Sequence, residues 1–181
     1  MFDAAISLYA QAGWAGFTFE AIARRSGVGK AALYGRWPDR GVLLRQTLEA
    51  RWLAPAAIDT GGLGGDLKAL AEQVFAARAG LHARTASWMN LDGEAHPEVR
   101  AVVAPYVEST IREGRAIVRR AIARGEIPGS VNPGLLMDLV VGAVSNHITT
   151  TPERLRGTMI ARREAFIETL VATVLKGVGE S

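Results

Sequence analysis

The chain has 181 residues and a formal net charge of +3; 49% of its residues are apolar, 22% are charged and none is cysteine. This composition is ordinary for a folded protein, and the missing cysteine excludes disulfides and thiolate metal sites. Because no apolar stretch approaches the roughly 20 residues of a membrane helix and residues 1–5 lack a secretory leader, the sequence predicts a cytoplasmic protein with no membrane partner.

Helical spacing of apolar residues runs through nearly the whole chain, and no segment shows the alternation of a β-strand. The first helix is predicted from Phe2 to Gly13, since glycine accepts the left-handed conformation that ends many helices. A second, short helix is predicted from an N-cap at Thr18 to about Arg25, where Gly27 breaks it. The fold class predicted from this spacing is all-α.

The third predicted helix runs from about Lys30 to Trp37. Pro38 and Asp39 then indicate a stop followed by a new start. The fourth helix is predicted to continue from there to about Leu53, before the glycine-rich stretch that marks a candidate domain boundary.

Helices are predicted beyond this stretch near 66–81 and 82–92, followed by a long helix from about Pro97 to Arg124. Its inward side is predicted to contain Val99, Val103, Tyr106, Val107, Thr110, Ile111, Ile117 and Ile122.

Two further helices complete the predicted fold. One is capped by Asn132 and runs to about Thr149, and the last opens at Pro152 and runs to about Lys176. The chain shows no internal repeat and no low-complexity tract.

Residues 18–37 contain two short predicted helices joined by a tight turn. Ile22, Val28 and Leu33 can lock this pair at a wide crossing angle, which is the geometry that lets a second helix enter the major groove of DNA. Residues 1–45 also hold six basic and three acidic residues, whereas the remaining chain is neutral. A plain helical hairpin with solvated basic residues would produce the same spacing, so the pattern by itself leaves both interpretations open.

Several side chains of the pair suit DNA chemically. Lys30 can donate to guanine O6 and N7, and Ala31 can contact a thymine methyl group. Arg36 and Arg40 lie at the far end of the second helix, where they suit phosphates.

The run from Phe2 to Leu44 resembles the TetR/AcrR family of repressors at Asp3, Ala4, Ala5, Tyr9, Gly13, Thr18, Ile22, Ala23, Gly27, Val28, Leu33, Tyr34, Trp37, Pro38, Asp39, Arg40, Leu43 and Leu44. The resemblance implies that Thr18 and Arg40 bind DNA phosphates and that Lys30 and Ala31 contact bases. It also implies that Tyr34 contacts the DNA backbone or a base. The predicted DNA-binding set is therefore Thr18, Gly29, Lys30, Ala31, Tyr34, Arg36 and Arg40.

Four positions depart from the family pattern: Gly29 for a serine, Ala32 for a threonine, Gly35 for a larger residue and Gly41 for a glutamate. Because these changes remove polar contacts, Lys30, Tyr34 and Arg36 are expected to supply more of the affinity. The resemblance also implies a basic arm ahead of the first helix. The sequence begins inside that helix, so either its start is misassigned or a segment is missing.

The second part of the chain has no catalytic constellation. Its three histidines form no i, i+4 pair, and the glycines of 61–65 are not followed by the Gly-Lys-Ser/Thr of a phosphate loop. We therefore predict that the chain is no enzyme and needs no metal or cofactor. In a family member the following residues would line a largely apolar effector cavity, although for any single one of them ordinary core is the better interpretation: Phe75, Trp88, Met89, Tyr106, Asn146 and His147.

The last two helices have apolar surfaces wider than one contact needs, which predicts a homodimer. An intramolecular core could absorb these surfaces instead, but one recognition helix reads too few bases for useful specificity. The predicted interface residues are Leu135, Leu139, Val140, Phe166, Leu170 and Val174.

Together these features predict a ligand-responsive repressor that binds a palindromic operator in double-stranded DNA as a homodimer. Its helix-turn-helix DNA-binding domain is predicted over 1–45, and a helical bundle for effector binding and dimerisation over 46–181. Two alternatives stay open: a small helical ligand-binding protein or enzyme without DNA binding, and an architectural DNA binder without an effector.

Overall fold

The computed structural model describes residues 1–51, 57–80 and 82–179, and these residues form helices without any strand. The predicted all-α fold class is confirmed. The predicted end of the fourth helix near Leu53 lies outside the described residues. The helices are α1 (Phe2–Gly16), α2 (Phe19–Ser26), α3 (Lys30–Arg36), α4 (Arg40–Arg51), α5 (Leu63–Ala79), α6 (Ala83–Ala95), α7 (Pro97–Ala123), α8 (Pro133–Thr150), a 3-10 turn (Glu153–Leu155), α9 (Arg156–Ala161) and α10 (Arg163–Gly179).

The described chain divides into two compact units. The helices α1 to α4 share their hydrophobic core with later residues such as Met89 of α6 and Val99 of α7. The structural division therefore differs from the predicted functional boundary after residue 45, which stays a prediction about function. The first unit contains the described residues of 1–56 and 81–108, and the second contains those of 57–80 and 109–181.

The core of the first unit is strongly aromatic. The rings of Tyr9 and Phe17 meet edge-on with centroids 5.6 Å apart, and Trp14 stacks on Phe17 at 6.1 Å. Such ring pairs add to the free energy gained by burying apolar area. The largest side chains that are fully buried here are Tyr9, Phe17, Ile22, Leu33, Leu43, Leu44 and Leu48.

Helix α1 is interrupted at Gly13, whose φ of +59° lies in the left-handed region. The predicted stop is therefore present, but a helical turn resumes as far as Gly16. A Cβ at Gly13 would lie 2.7 Å from the Trp88 ring, so α6 also requires glycine there. The backbone N–H of Trp14 donates to the buried carboxylate of Asp92 at 2.8 Å, which ties α1 to α6.

The second unit packs α5, α8, α10 and the later part of α7 around an apolar core. Helix α5 starts at Leu63, so Gly64 and Gly65, which were predicted to lie in a loop, form its first turn. The carboxylate of Asp66 is fully buried there and accepts hydrogen bonds from the backbone N–H and hydroxyl of Thr60 at 2.6 and 2.8 Å.

Arg120 of α7 and Arg124, which directly follows that helix, surround this buried carboxylate. A guanidinium nitrogen of Arg120 lies 3.8 Å from Asp66, and one of Arg124 lies 3.6 Å from it. Arg120 also donates to the backbone oxygen of Ile58. A buried charge requires such partners because its desolvation is costly, and the cluster fixes the segment before α5 to α7.

Two sequence predictions were wrong. The last helix, predicted to run without a break from Pro152, is divided by Arg162, which ends α9 before α10 begins. No proline or glycine occupies that position, so the local pattern gave no sign of the break. On α7, Val107, Thr110 and Ile111 were predicted to face inward but are exposed, because the helix presents that side to solvent and buries Val103 and others.

Candidate nucleic-acid interface

Local interactions build the α2–α3 pair. The hydroxyl of Thr18 accepts from the backbone N–H of Ala21 at 3.1 Å, which caps α2 as predicted. Gly27 ends α2 with a φ of +73°, a conformation that glycine adopts without strain. Ile22 of α2 and Leu33 of α3 are both fully buried beneath the turn. The two helices are therefore packed together on their inner side, and the outer side of α3 is largely exposed.

The outer side of α3 presents most of the residues predicted to contact DNA. Gly29, Lys30, Ala31 and Tyr34 are all exposed, and Gly29 is the N-cap residue of the helix. Tyr34 keeps 54% of its surface exposed, although its ring packs against Phe19 with centroids 4.6 Å apart. The structure thus brings these four predicted residues together on one face.

A carboxylate of α2 joins the two polar side chains of this face. Glu20 Oε1 lies 2.8 Å from Lys30 Nζ and accepts from the hydroxyl of Tyr34 at 3.0 Å. The bond from Lys30, the backbone bond and the bond from Tyr34 lower the pKa of Glu20 to about 2. The same contact with Glu20 raises the pKa of both Lys30 and Tyr34. At neutral pH the cluster therefore holds a carboxylate and an ammonium group, with the neutral hydroxyl of Tyr34 donating to the carboxylate.

The remaining predicted DNA contacts lie in other surroundings. The Thr18 hydroxyl is engaged in its capping bond, and Arg36 is exposed with its guanidinium 5.0 Å from the Trp37 ring centroid. Arg40 is half-buried and donates to the backbone oxygens of Trp14 and Phe17 at 3.2 and 3.4 Å. The phosphate contacts suggested for these residues stay predictions, and Arg40 also serves the fold.

Sequence reasoning missed two polar contacts of this region. Glu20 lies in the first turn of α2, where the helix dipole favours an acidic side chain, and it also pairs with Lys30 of the next helix. Arg25 donates to Gln11 at 2.7 Å and to Ser7 at 2.9 Å, so it joins α2 to α1. The opposite charges of Glu20 and Lys30 are visible in the sequence, but their proximity depends on the turn between the helices.

The residues predicted to line an effector cavity fall into both units. In the first unit, Met89 is buried while Trp88 and Tyr106 are half-buried. A cavity of about 300 Å³ is lined by Met89, together with residues that were not predicted. These additional residues are Asn90, Gly93, Arg100, Val103, Ala104, Val107 and Glu108.

The other three predicted effector residues belong to the second unit. Phe75 is buried in its core, and Asn146 is exposed. The ring of His147 stacks on Phe166 with centroids 4.0 Å apart. The role of these three residues as ligand contacts stays a prediction.

The residues predicted for a dimer interface divide by exposure. Leu135 and Leu139 of α8 are 59% and 50% exposed, although both are large and apolar. Val140 and Val174 instead lie in the core of their own chain, and their assignment to an interface stays a prediction. The side of the helix that carries each of these two valines packs against other residues of the same chain. Phe166 and Leu170 are half-buried beside the same core.

Among the described residues, no group of three histidine or acidic side chains is arranged to hold a metal ion. None of the helices in this part of the chain combines the length and hydropathy needed to cross a bilayer.

Two family models match the sequence. The model described as "Bacterial regulatory proteins, tetR family" matches residues 2–47, and the model described as "Tetracyclin repressor-like, C-terminal domain" matches residues 57–174. No curated protein sequence matches the chain.

Solved structures share the fold over nearly the whole chain. FadR from Bacillus subtilis, solved in complex with stearoyl-CoA, has 17% identity and a TM-score of 0.73, with 98% of this chain and 97% of that one covered. GusR of Salmonella enterica has 18% identity and a TM-score of 0.71, with coverages of 97% and 93%. The TetR family transcription regulator SCO0332 has 26% identity and a TM-score of 0.63, with coverages of 98% and 95%.

Proposed function

The chain belongs to the TetR family of bacterial transcription regulators, and from this premise we propose that it is a ligand-responsive repressor that binds a palindromic operator as a homodimer. The single observation that carries the proposal is the outer face of α3. It offers Lys30 and Tyr34 to solvent above a buried Leu33. A helix supported from one side and polar on the other is what entry into a major groove requires.

The chemistry of this face supports direct reading of bases. Lys30 can donate to the O6 and N7 acceptors of guanine, and the small side chain of Ala31 permits close approach to a thymine methyl group. Arg36 is exposed at the end of α3, where it can contact a phosphate. We assign recognition to Lys30, Ala31 and Tyr34, and positioning on the duplex to Arg36 with Thr18.

The exposed face of α8 supports dimerisation. Leu135, Leu139, Gly142 and Asn146 follow one another at helical spacing and are all exposed. A Cβ at Gly142 would meet no atom within 4 Å, so the centre of the face leaves room for a second helix. A symmetric pair of chains would bury these leucines and present two recognition helices to half-sites about 10 base pairs apart.

We propose a largely apolar small molecule as the effector. The regulator FadR, which shares the fold, was solved with stearoyl-CoA, a ligand with a long apolar chain. In this chain the apolar residues Met89 and Trp88 lie on α6, the helix that packs on α1. An effector that binds better to the state unable to hold DNA would release the operator by that difference in affinity. The protein would act in the cytoplasm, where operator DNA is accessible.

The test is selection of bound duplexes from a random pool by the purified chain. We expect enrichment of a palindrome, and an affinity that falls steeply as salt rises because bound counterions are released. The matched control is the double variant Lys30→Met with Tyr34→Phe, which keeps the fold's buried contacts and should lose the enrichment. If the unmodified chain enriches no sequence, the repressor proposal is wrong and a helical ligand-binding protein becomes the better interpretation.

The effector is tested separately on the selected operator. Long-chain acyl-CoA esters and steroids are suitable first probes, with a short-chain acyl-CoA as the polar control. Release of DNA by the apolar probes alone would support the proposed class. Release by neither set, or equally by both, would contradict it.

A further inference from the structure

The two polar side chains on the outer face of α3 share one partner. Glu20 Oε1 on α2 lies 2.8 Å from Lys30 Nζ and 3.0 Å from the hydroxyl oxygen of Tyr34. About half of the Glu20 and Lys30 side-chain surface remains exposed, so DNA could reach the cluster. An acidic residue is unusual beside groups that meet a polyanion, and the proposed function gives it no task.

Helix α3 needs restraint from outside. It has seven residues, its N-cap Gly29 supplies no side-chain hydrogen bond, and Gly35 lies within it. Short helices are marginal without tertiary contacts, and glycine weakens them further. Glu20 is itself fixed in the first turn of the capped helix α2, where an acidic side chain is favoured by the helix dipole. Glu20 is therefore held more rigidly than the residues of α3, and it can orient the side chains of Lys30 and Tyr34.

Lys30 has enough hydrogen-bond donors to bind Glu20 and a base at the same time. An ammonium group has three donors, so one can bind Glu20 while another is directed at a guanine acceptor. A phosphate that captures Lys30 fully would leave the Glu20 carboxylate without its cationic partner and beside a second negative charge. The carboxylate thus opposes contacts to phosphate more than contacts to a base edge.

We propose that Glu20 is a positioning residue that sets DNA specificity, holding Lys30 and Tyr34 toward base edges and weakening their attraction to the phosphates of non-operator DNA. This inference rests on the proposed function as a DNA reader. It adds that the discrimination between operator and other DNA depends on an acidic group outside the recognition helix.

The experiment compares the full chain with Glu20→Gln on the selected operator and on a scrambled duplex of equal length, each over a series of salt concentrations. The neutral amide keeps the shape of the side chain and removes its charge. We expect tighter binding to scrambled DNA and no equal gain on the operator, so that the ratio of the two affinities falls about fivefold, on the scale of exposed ion pairs. The salt slope on scrambled DNA should steepen by roughly 0.9, equivalent to one more phosphate contact.

Two further variants separate this role from general effects. Glu94→Gln on α6 removes the same charge at another exposed position and should leave the affinity ratio unchanged. In a Lys30→Met background, Glu20→Gln should change the ratio much less, because only the neutral hydroxyl of Tyr34 remains for Glu20 to hold. Thermal unfolding of each variant checks that the fold is retained.

The outcomes distinguish this inference from the proposed function. If the unmodified chain prefers no duplex, the proposed function itself fails. If it prefers an operator but Glu20→Gln leaves the ratio unchanged, or Glu94→Gln lowers it equally, Glu20 does not set specificity. If Glu20→Gln acts equally with Lys30→Met present, Glu20 does not act through Lys30.

Discussion

The outer face of α3 and the exposed face of α8 leave opposite chemistry in contact with solvent. On α3 the exposed groups are the ammonium of Lys30 and the phenol of Tyr34, paired with a carboxylate. On α8 they are Leu135 and Leu139, whose hydrocarbon surface has no polar function. Ionic groups suit a polyanion such as DNA, whereas an exposed apolar patch suits another apolar surface. The contrast shows that two surfaces of one chain can be assigned to two kinds of partner.

Each of the two faces belongs to a helix whose opposite side is apolar and buried. Beneath the polar face of α3, Leu33 is fully buried, and beneath the exposed leucines of α8, Leu136 and Val140 are buried in the core. One side of each helix therefore packs into the core of its own unit and stabilises that unit. Substitutions on the outer side of either helix can therefore alter binding to a partner without unfolding the chain. The two faces can thus be tested separately by mutation.

The largest effect is expected from charging the apolar face with the double variant Leu135→Glu and Leu139→Glu. Both positions are exposed in the single chain, so its unfolding temperature should hold, while like charges facing each other should separate a dimer. Losing the linked second half-site should weaken operator binding by about 100-fold or more. Sedimentation and operator titration measure both effects. Leu91→Glu, at a leucine that is 60% exposed on α6, is the matched control; if it has the same effect, the face of α8 is not the interface.

A large effect of another kind is expected beneath the polar face. Leu33→Ala removes a fully buried side chain from the core of the first unit and should lower the free energy of unfolding by about 2–5 kcal/mol. Chemical denaturation measures the loss. Tyr34→Ala on the adjacent outer position removes only a half-exposed ring that contacts Phe19 and should cost much less; an equal loss in the two variants would show that the outer side of α3 also serves the core.

A smaller effect, on DNA alone, is expected from Lys30→Met. Removing one base contact should weaken operator binding roughly 5- to 150-fold, because Lys30 supplies donors that the methionine lacks. The association state should match that of the unmodified chain, and the unfolding temperature should fall only by the small amount expected from loss of the exposed pair with Glu20. Fluorescence anisotropy with a labelled operator measures the affinity. Unchanged binding would remove Lys30 from the recognition face.

The smallest effect is expected from acid. The bond to Lys30, with the backbone and Tyr34, lowers the pKa of Glu20 from its ordinary 4.5 to about 2. The stabilisation from ionised Glu20 is therefore fully present above pH 4.5 and is lost as the pH falls toward 2. The unfolding temperature of the unmodified chain should exceed that of Glu20→Gln at pH 6, and the difference should vanish near pH 2. A difference that is constant with pH would mean that the Glu20 charge does not contribute.

The sequence determined the features that depend on neighbours along the chain. The cap at Thr18, the left-handed turn at Gly27 and the cap at Asn132, which accepts from two following backbone N–H groups, are as predicted. Each involves groups within about four residues, so the amino-acid types alone specify them. The all-α fold class and the helix pair with Lys30 on its outer side followed from such local signals.

Tertiary structure decided which side of each helix is free and which distant groups meet. Leu139 and Val140 are adjacent and equally apolar in the sequence, yet only packing against the core makes one exposed and the other buried. Glu20 and Lys30 meet across a turn, and Gly13 is required by the Trp88 ring 75 residues later as well as by its own backbone. Such contacts depend on how helices pack in three dimensions, because residues far apart in sequence become neighbours only when the core forms.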